Sequence, residues 1–235
     1  SDLGLNGQLR ASSVHPKHPV TMGAQIIRHE ELRSGNGRLW PSSEFSEFSG
    51  FLKTEIAFNP TNILTVFAST AGVDDGARTD RLGQGDIRWY DTDLTVVYLR
   101  WSHRPQDSWV REARITAFGE HLNDDIRRHS CSGDITVDGP AREACLDNWN
   151  FGVNRYRIYD DTVQAAGLMA DVTTRPIMSS IKLTFGAELR HEHVSSSTLF
   201  DTNPGGDLVA TRGQLSQGSQ FGTGALWTLA KADIF

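Results

Sequence analysis

Apolar and polar residues alternate with a period of two along much of this chain. Residues 181–190 give the cleanest run. Ile181, Leu183, Phe185, Ala187 and Leu189 fall on one side, and Lys182, Thr184, Gly186, Glu188 and Arg190 on the other. Such a run fits a strand with one apolar and one polar face, whereas a helix would scatter its apolar residues around the circumference. Residues 20–26, 113–120 and 166–173 read the same way, with Phe118 a blemish on a polar side. Residues 7–14 are a weaker version. Residues 51–58, 63–69, 91–101 and 225–235 are β-rich but less cleanly two-faced. The pattern predicts about nine strands and no helix.

The connections between these runs alternate in length. Residues 15–19, 59–62, 103–107 and 175–179 are short, and each contains a proline, which ends a strand. Residues 32–49, 70–89, 122–150 and 194–224 are long, polar and charged, and read as loops. Short turns at one end and long loops at the other are the arrangement of an up-and-down outer-membrane barrel. The pattern over residues 155–173 is also far longer than the usual soluble strand of about five or six residues.

Of the 235 residues 38% are apolar. The net charge of −6 argues against a basic nucleic-acid binder. No apolar stretch is long enough for a membrane helix, but barrel strands alternate and so look hydrophilic on average. The start, Ser1-Asp2-Leu3-Gly4, carries no secretory signal. The chain is therefore expected to be processed, excised from something longer, or not exported.

No enzyme signature is present: there is no Gly-x-Ser-x-Gly elbow, P-loop, Cys-x-x-Cys or His-Glu-x-x-His. His191-Glu192-His193 sets two imidazoles on one side of a strand, an arrangement that can chelate a metal. A polar barrel mouth explains the same residues. No third ligand is identifiable, so no metal site and no cofactor are assigned. Cys131 and Cys145 share one polar loop, which in an exported protein reads as a disulfide and in a cytosolic one as two free thiols. Trp89, Tyr90, Trp101, Trp109, Trp149, Tyr156 and Tyr159 lie near expected strand ends, as interfacial girdles or as core aromatics.

Several segments carry a resemblance. They are Ala77-Arg78-Thr79-Asp80-Arg81-Leu82 followed by Trp89-Tyr90 and Leu94-Thr95-Val96-Val97-Tyr98-Leu99-Arg100-Trp101; Leu183-Thr184-Phe185-Gly186-Ala187-Glu188-Leu189; and Arg212-Gly213-Gln214-Leu215 with Gly218-Ser219-Gln220-Phe221. Together they resemble the barrel of TonB-dependent outer-membrane receptors. Those receptors have a plug, a TonB box and about 22 strands; here no plug is found. The expectation is one all-β segment over residues 1–235, part of an antiparallel up-and-down transmembrane barrel.

The resemblance implies a role in taking up a scarce, bulky ligand, such as a ferric siderophore or haem, across the outer membrane of a Gram-negative bacterium. Its partners would be outer-membrane lipid, the small-molecule ligand, and the TonB system through a plug not present here; nucleic acid is not among them. Arg78, Asp80, Arg81 and Arg212 are the ligand-binding candidates in the loops, since guanidinium groups pair bidentately with carboxylates. Loop-internal ion pairing is the competing explanation. Arg114, Glu120, Lys182, Glu188 and Arg190 are expected to face the lumen. No catalytic residue is expected. A passive small barrel, or a soluble β-sandwich adhesin or lectin, stays open on the residues alone.

Overall fold

The computed structural model describes residues 4–15, 18–33, 40, 43–131, 155–177, 180–201, 208–213 and 218–232. These residues form one antiparallel sheet. Its strands are β1 (Leu5–Ser13), β2 (Val20–His29), β3 (Phe45–Asn59), β4 (Asn62–Ala77), β5 (Asp86–His103), β6 (Val110–Ser130), β7 (Arg155–Thr174), β8 (Ile181–Asp201), β9 (Leu208–Arg212) and β10 (Ser219–Ala232). A 3-10 turn, Thr79–Gln84, joins β4 to β5.

Strands follow one another across the sheet in chain order from β1 to β8, with β10 beside β8. β9 pairs with the same edge of β8: Arg212 lies opposite Ser197 and Ser219 opposite Val194. The last two strands therefore occupy one position, and the ten strands fill nine places. Among the described residues β1 pairs only with β2, and β10 only with β8, so the sheet is not closed into a barrel.

The expected short turns are present and all lie at one end of the sheet, with Asn59 and Asn62 pairing across the tightest. There Asn59 Oδ1 accepts from the Thr61 amide at 3.0 Å and from the Asn62 side-chain amide at 2.9 Å. The expected long loops need correction. β6 and β7 stay paired as far as Ser130 and Arg155, and β8 continues to Asp201. The 70–89 loop shrinks to the 3-10 turn and its flanks. Hydrophobic alternation stops where both faces carry polar side chains, but the backbone ladder does not. Polar cross-strand pairs carry it on: Thr92 donates to Asp124 at 2.6 Å, Thr162 donates to Asn123 at 2.9 Å, and Ser196 donates to Asp161.

Beyond the sheet proper, a small apolar core forms at the long-strand end. Leu82 of the 3-10 turn and Ile87 of β5 are buried together, with Trp40, Trp89 and Cys131 packed against them. Gly85 takes a left-handed φ of 72° to end the turn, and its carbonyl accepts from the Cys131 amide at 2.7 Å. Trp89 is thus a core residue rather than part of a girdle.

Candidate functional site

The register places side chains on two sharply different faces. Neighbouring strands keep opposed residues on the same side of the sheet. On one face lie Leu9, Met22, Leu52, Val66, Leu99, Ile115, Leu168, Phe185 and Leu226, with similar residues above and below them. Every strand position contributes, and no Asp, Glu, Lys or Arg interrupts this belt. On β8 it runs from Ile181 to Leu189, about 26 Å along the strand. At the usual tilt of about 40° that spans roughly 20 Å before side-chain girth is added, close to the apolar band of an outer-membrane barrel.

The other face is polar and the more enclosed. Thr65, Thr116, Ala165, Asp171, Val194, Ser196 and Thr198 are buried there, whereas Leu189 is 66% and Leu99 52% exposed on the apolar face. Among the described residues, only four apolar side chains are buried while twenty-five large ones are exposed. This inverts the pattern of a protein folded around an oily core.

Arg114, Glu120, Lys182, Glu188 and Arg190 all lie on the polar face. Arg114 pairs with buried Asp171 at 2.7 Å. Arg190 bridges Glu120 at 2.7 Å and Glu192 at 2.5 Å. Arg100 donates to Thr116 at 3.1 Å and lies over the Tyr98 ring, which stacks on Phe67. Two of the charges at the level of the belt, Arg114 and Arg190, are thus matched by carboxylates on other strands. Asp171 was not singled out from the sequence, because a partner on another strand becomes visible only once the register is known.

Small residues on this face do not leave open space. An added Cβ at Gly167 would sit 2.5 Å from the Phe118 ring, and one at Gly23 would sit 2.6 Å from Phe51. Gly186 is covered by Trp227 in the same way. Phe118, which breaks the alternation in the sequence, is the ring that covers Gly167.

The loop candidates separate. Arg78 donates to Asp80 at 2.7 Å, and Arg81 lies 3.7 Å from the same carboxylate, which is held below the usual carboxylate range chiefly by Arg78. The three residues are brought together, as an ion-paired cluster on the exposed turn. Arg212 ends β9, so it belongs to a strand rather than a loop. Cys131 is disulfide-bonded, while Cys145, Trp149 and most of their loop lie outside the described residues. At the short-turn end, Phe58, Trp101 and Trp109 are exposed where a girdle would sit.

Two further polar clusters stand at the long-strand end. Asp86 is buried between Arg88 at 2.6 Å and Arg128 at 2.8 Å; burial opposes its charge, yet the two guanidinium groups hold its carboxyl below the ordinary range. Asp74, Asp75 and Asp91 have ligand atoms within 4.8 Å of one another. Arg127 already serves this cluster, donating to Asp75 at 2.7 Å and Asp91 at 2.6 Å. Asp75 sits at φ 56° in a bulge of β4, and its amide donates to Asp91. Burial, then the neighbouring carboxylates Asp75 and Asp91, push the Asp74 carboxyl up.

Compared with known proteins, the chain matches no family model, no curated protein and no solved structure.

Proposed function

We propose that this sheet is part of the wall of an outer-membrane barrel of the TonB-dependent receptor type, engaged in uptake of a scarce, bulky ligand such as a ferric siderophore or haem. One observation carries the membrane reading: an uncharged apolar belt crosses all nine strand positions on one face, while the charges at the same height lie on the opposite, enclosed face. Lipid is the solvent that suits such an exposed belt. A bilayer also demands that every backbone group be paired within the protein. The free edges of β1 and β10 then call for further strands, which favours a wider barrel over a small complete one.

In this reading the polar face lines the lumen. Its ion pairs occupy charges that could otherwise hold a passing ligand: Arg114 with Asp171 joins β6 to β7, and Arg190 reaches across β7 to Glu120 of β6 while pairing with Glu192 on its own strand. Ligand capture falls to the long-strand end. Arg78 and Arg81 share one carboxylate there, so their cluster keeps a net positive charge for an anionic chelate. Translocation is transport work and requires no catalytic group from this chain.

The resemblance set out above supports the ligand class. The test is uptake of three probes, a ferric hydroxamate, a ferric catecholate and haem, by source cells with and without the gene. Uptake of at least one should depend on both the gene and the proton-motive force. Equal uptake of all three without the gene would refute the receptor reading.

A further inference from the structure

We infer that His121, His191 and His193 form a binding site for a divalent transition metal on the face of the sheet that carries the apolar belt, just beyond Leu189. His191 and His193 stand two residues apart on β8 and so share a face. His193 lies opposite Gln164 of β7, and Gln164 lies opposite His121 of β6. The register thus supplies the third imidazole that neither strand reveals alone. All three line one groove of about 470 Å³, with Thr95, Gln164 and Ala166 also in its wall.

The geometry suits chelation. Two ladder spacings put His121 and His193 about 10 Å apart at the backbone. Two imidazoles, each holding a metal at about 2.0–2.1 Å, can close that gap. The ligand atoms of the three rings do not already converge within 4.8 Å, so closure requires side-chain rotation. There is room for it. His191 is flanked by Ala166 and Gly222, and a Cβ on Gly222 would meet nothing within 4 Å. The strands that carry the ligands are held in their ladders, so the backbone pays little conformational entropy on binding.

The surroundings favour a cation. Residues beside the three imidazoles on this face are Thr95, Gly119, Gln164, Ala166, Gln220 and Gly222, with no Lys or Arg among them. Gln164 stands between His121 and His193, where its side-chain oxygen can complete four-coordination. Imidazole donors select Zn²⁺, Ni²⁺ or Cu²⁺ over Mg²⁺ or Ca²⁺. The site does not depend on the membrane reading, because register and donor chemistry are the same in any solvent.

The experiment is titration of the untagged full chain, refolded in detergent micelles, with Zn²⁺ by calorimetry and with Cu²⁺ by electron paramagnetic resonance. One equivalent should bind, and the Cu²⁺ spectrum should show nitrogen coupling. His121→Ala, His191→Ala and His193→Ala should each weaken binding by at least about tenfold, the lower end of what losing even a supporting contact to a ligand costs. His15→Ala and Asp75→Asn should bind as the parent does. Circular dichroism identifies misfolded variants, which are replaced by the matching His→Gln. No saturable binding, or full affinity in both His121→Ala and His121→Gln, would overturn the three-imidazole site.

Discussion

Trp227 of β10 lies directly across Gly186 of β8, its indole ring filling the space that a side chain at that position would need. The ring covers the neighbouring backbone on the polar face and ties the edge position to the sheet. Gly186→Val should force the indole away and destabilise the sheet by about 1–3 kcal/mol, the usual range for overpacking. Gly222→Ala, with nothing within 4 Å of its new Cβ, should change stability far less. Urea unfolding followed by tryptophan fluorescence distinguishes the two.

Asp86 gives a pH-dependent counterpart. Its carboxyl is held below the ordinary range, so the stabilisation from Arg88 and Arg128 is present above the unfolded pKa and lost as pH falls through the folded one. Asp86→Asn should lower stability at pH 7 by about 1.5–3 kcal/mol, the scale of a hydrogen bond to a charged group. The difference from the parent should vanish at a pH below both values. Unfolding curves across the acid range check the sign.

Asp125 should behave oppositely. Burial and then Asp160 push its carboxyl up. The folded state holds its proton more tightly, so stability falls as pH rises from the unfolded pKa through the folded one. Asp125→Asn keeps an acceptor for Asn123 and should be more stable than the parent at pH 7, but not below about pH 3.9. Equal stability across that range would contradict the assignment.

Much of the sheet was legible in the sequence, and the reason is local. At 181–190 and 166–173 alternation alone assigns each side chain to its face, because one face carries apolar side chains and the other polar or small ones. Past Leu189 both faces are polar, the period disappears, and residues such as Asn123 and Ser196 read as loop although they sit in paired strands. The same loss hid the partners of the charged residues. Asp171 is 57 positions from Arg114, and only the register joins them. Phe118 looked like an error in the alternation, but it follows from Gly167 opposite, whose missing side chain makes room for its ring.

The bridge at Cys131 anchors the Leu82–Ile87 core. Cys131→Ser should loosen that end, and losing closure of a loop of about 15 residues costs roughly 3 kcal/mol in the chain-entropy model. Non-reducing peptide mapping should return the Cys131 peptide joined to the Cys145 peptide. Recovery of both as free thiols from membrane-derived protein would reject the pairing.

Spin labels placed singly at positions 182 through 189 of β8, with the chain reconstituted in a bilayer, test the central claim most directly. Labels at 183, 185, 187 and 189 should be highly accessible to oxygen and shielded from a water-soluble relaxant, with labels at 182, 184, 186 and 188 showing the reverse or low access to both. Phe185→Arg, near the middle of the belt, should then destabilise the reconstituted protein by about 2–4 kcal/mol. Oxygen accessibility that fails to alternate, or that peaks at the even positions, would contradict a lipid-facing belt.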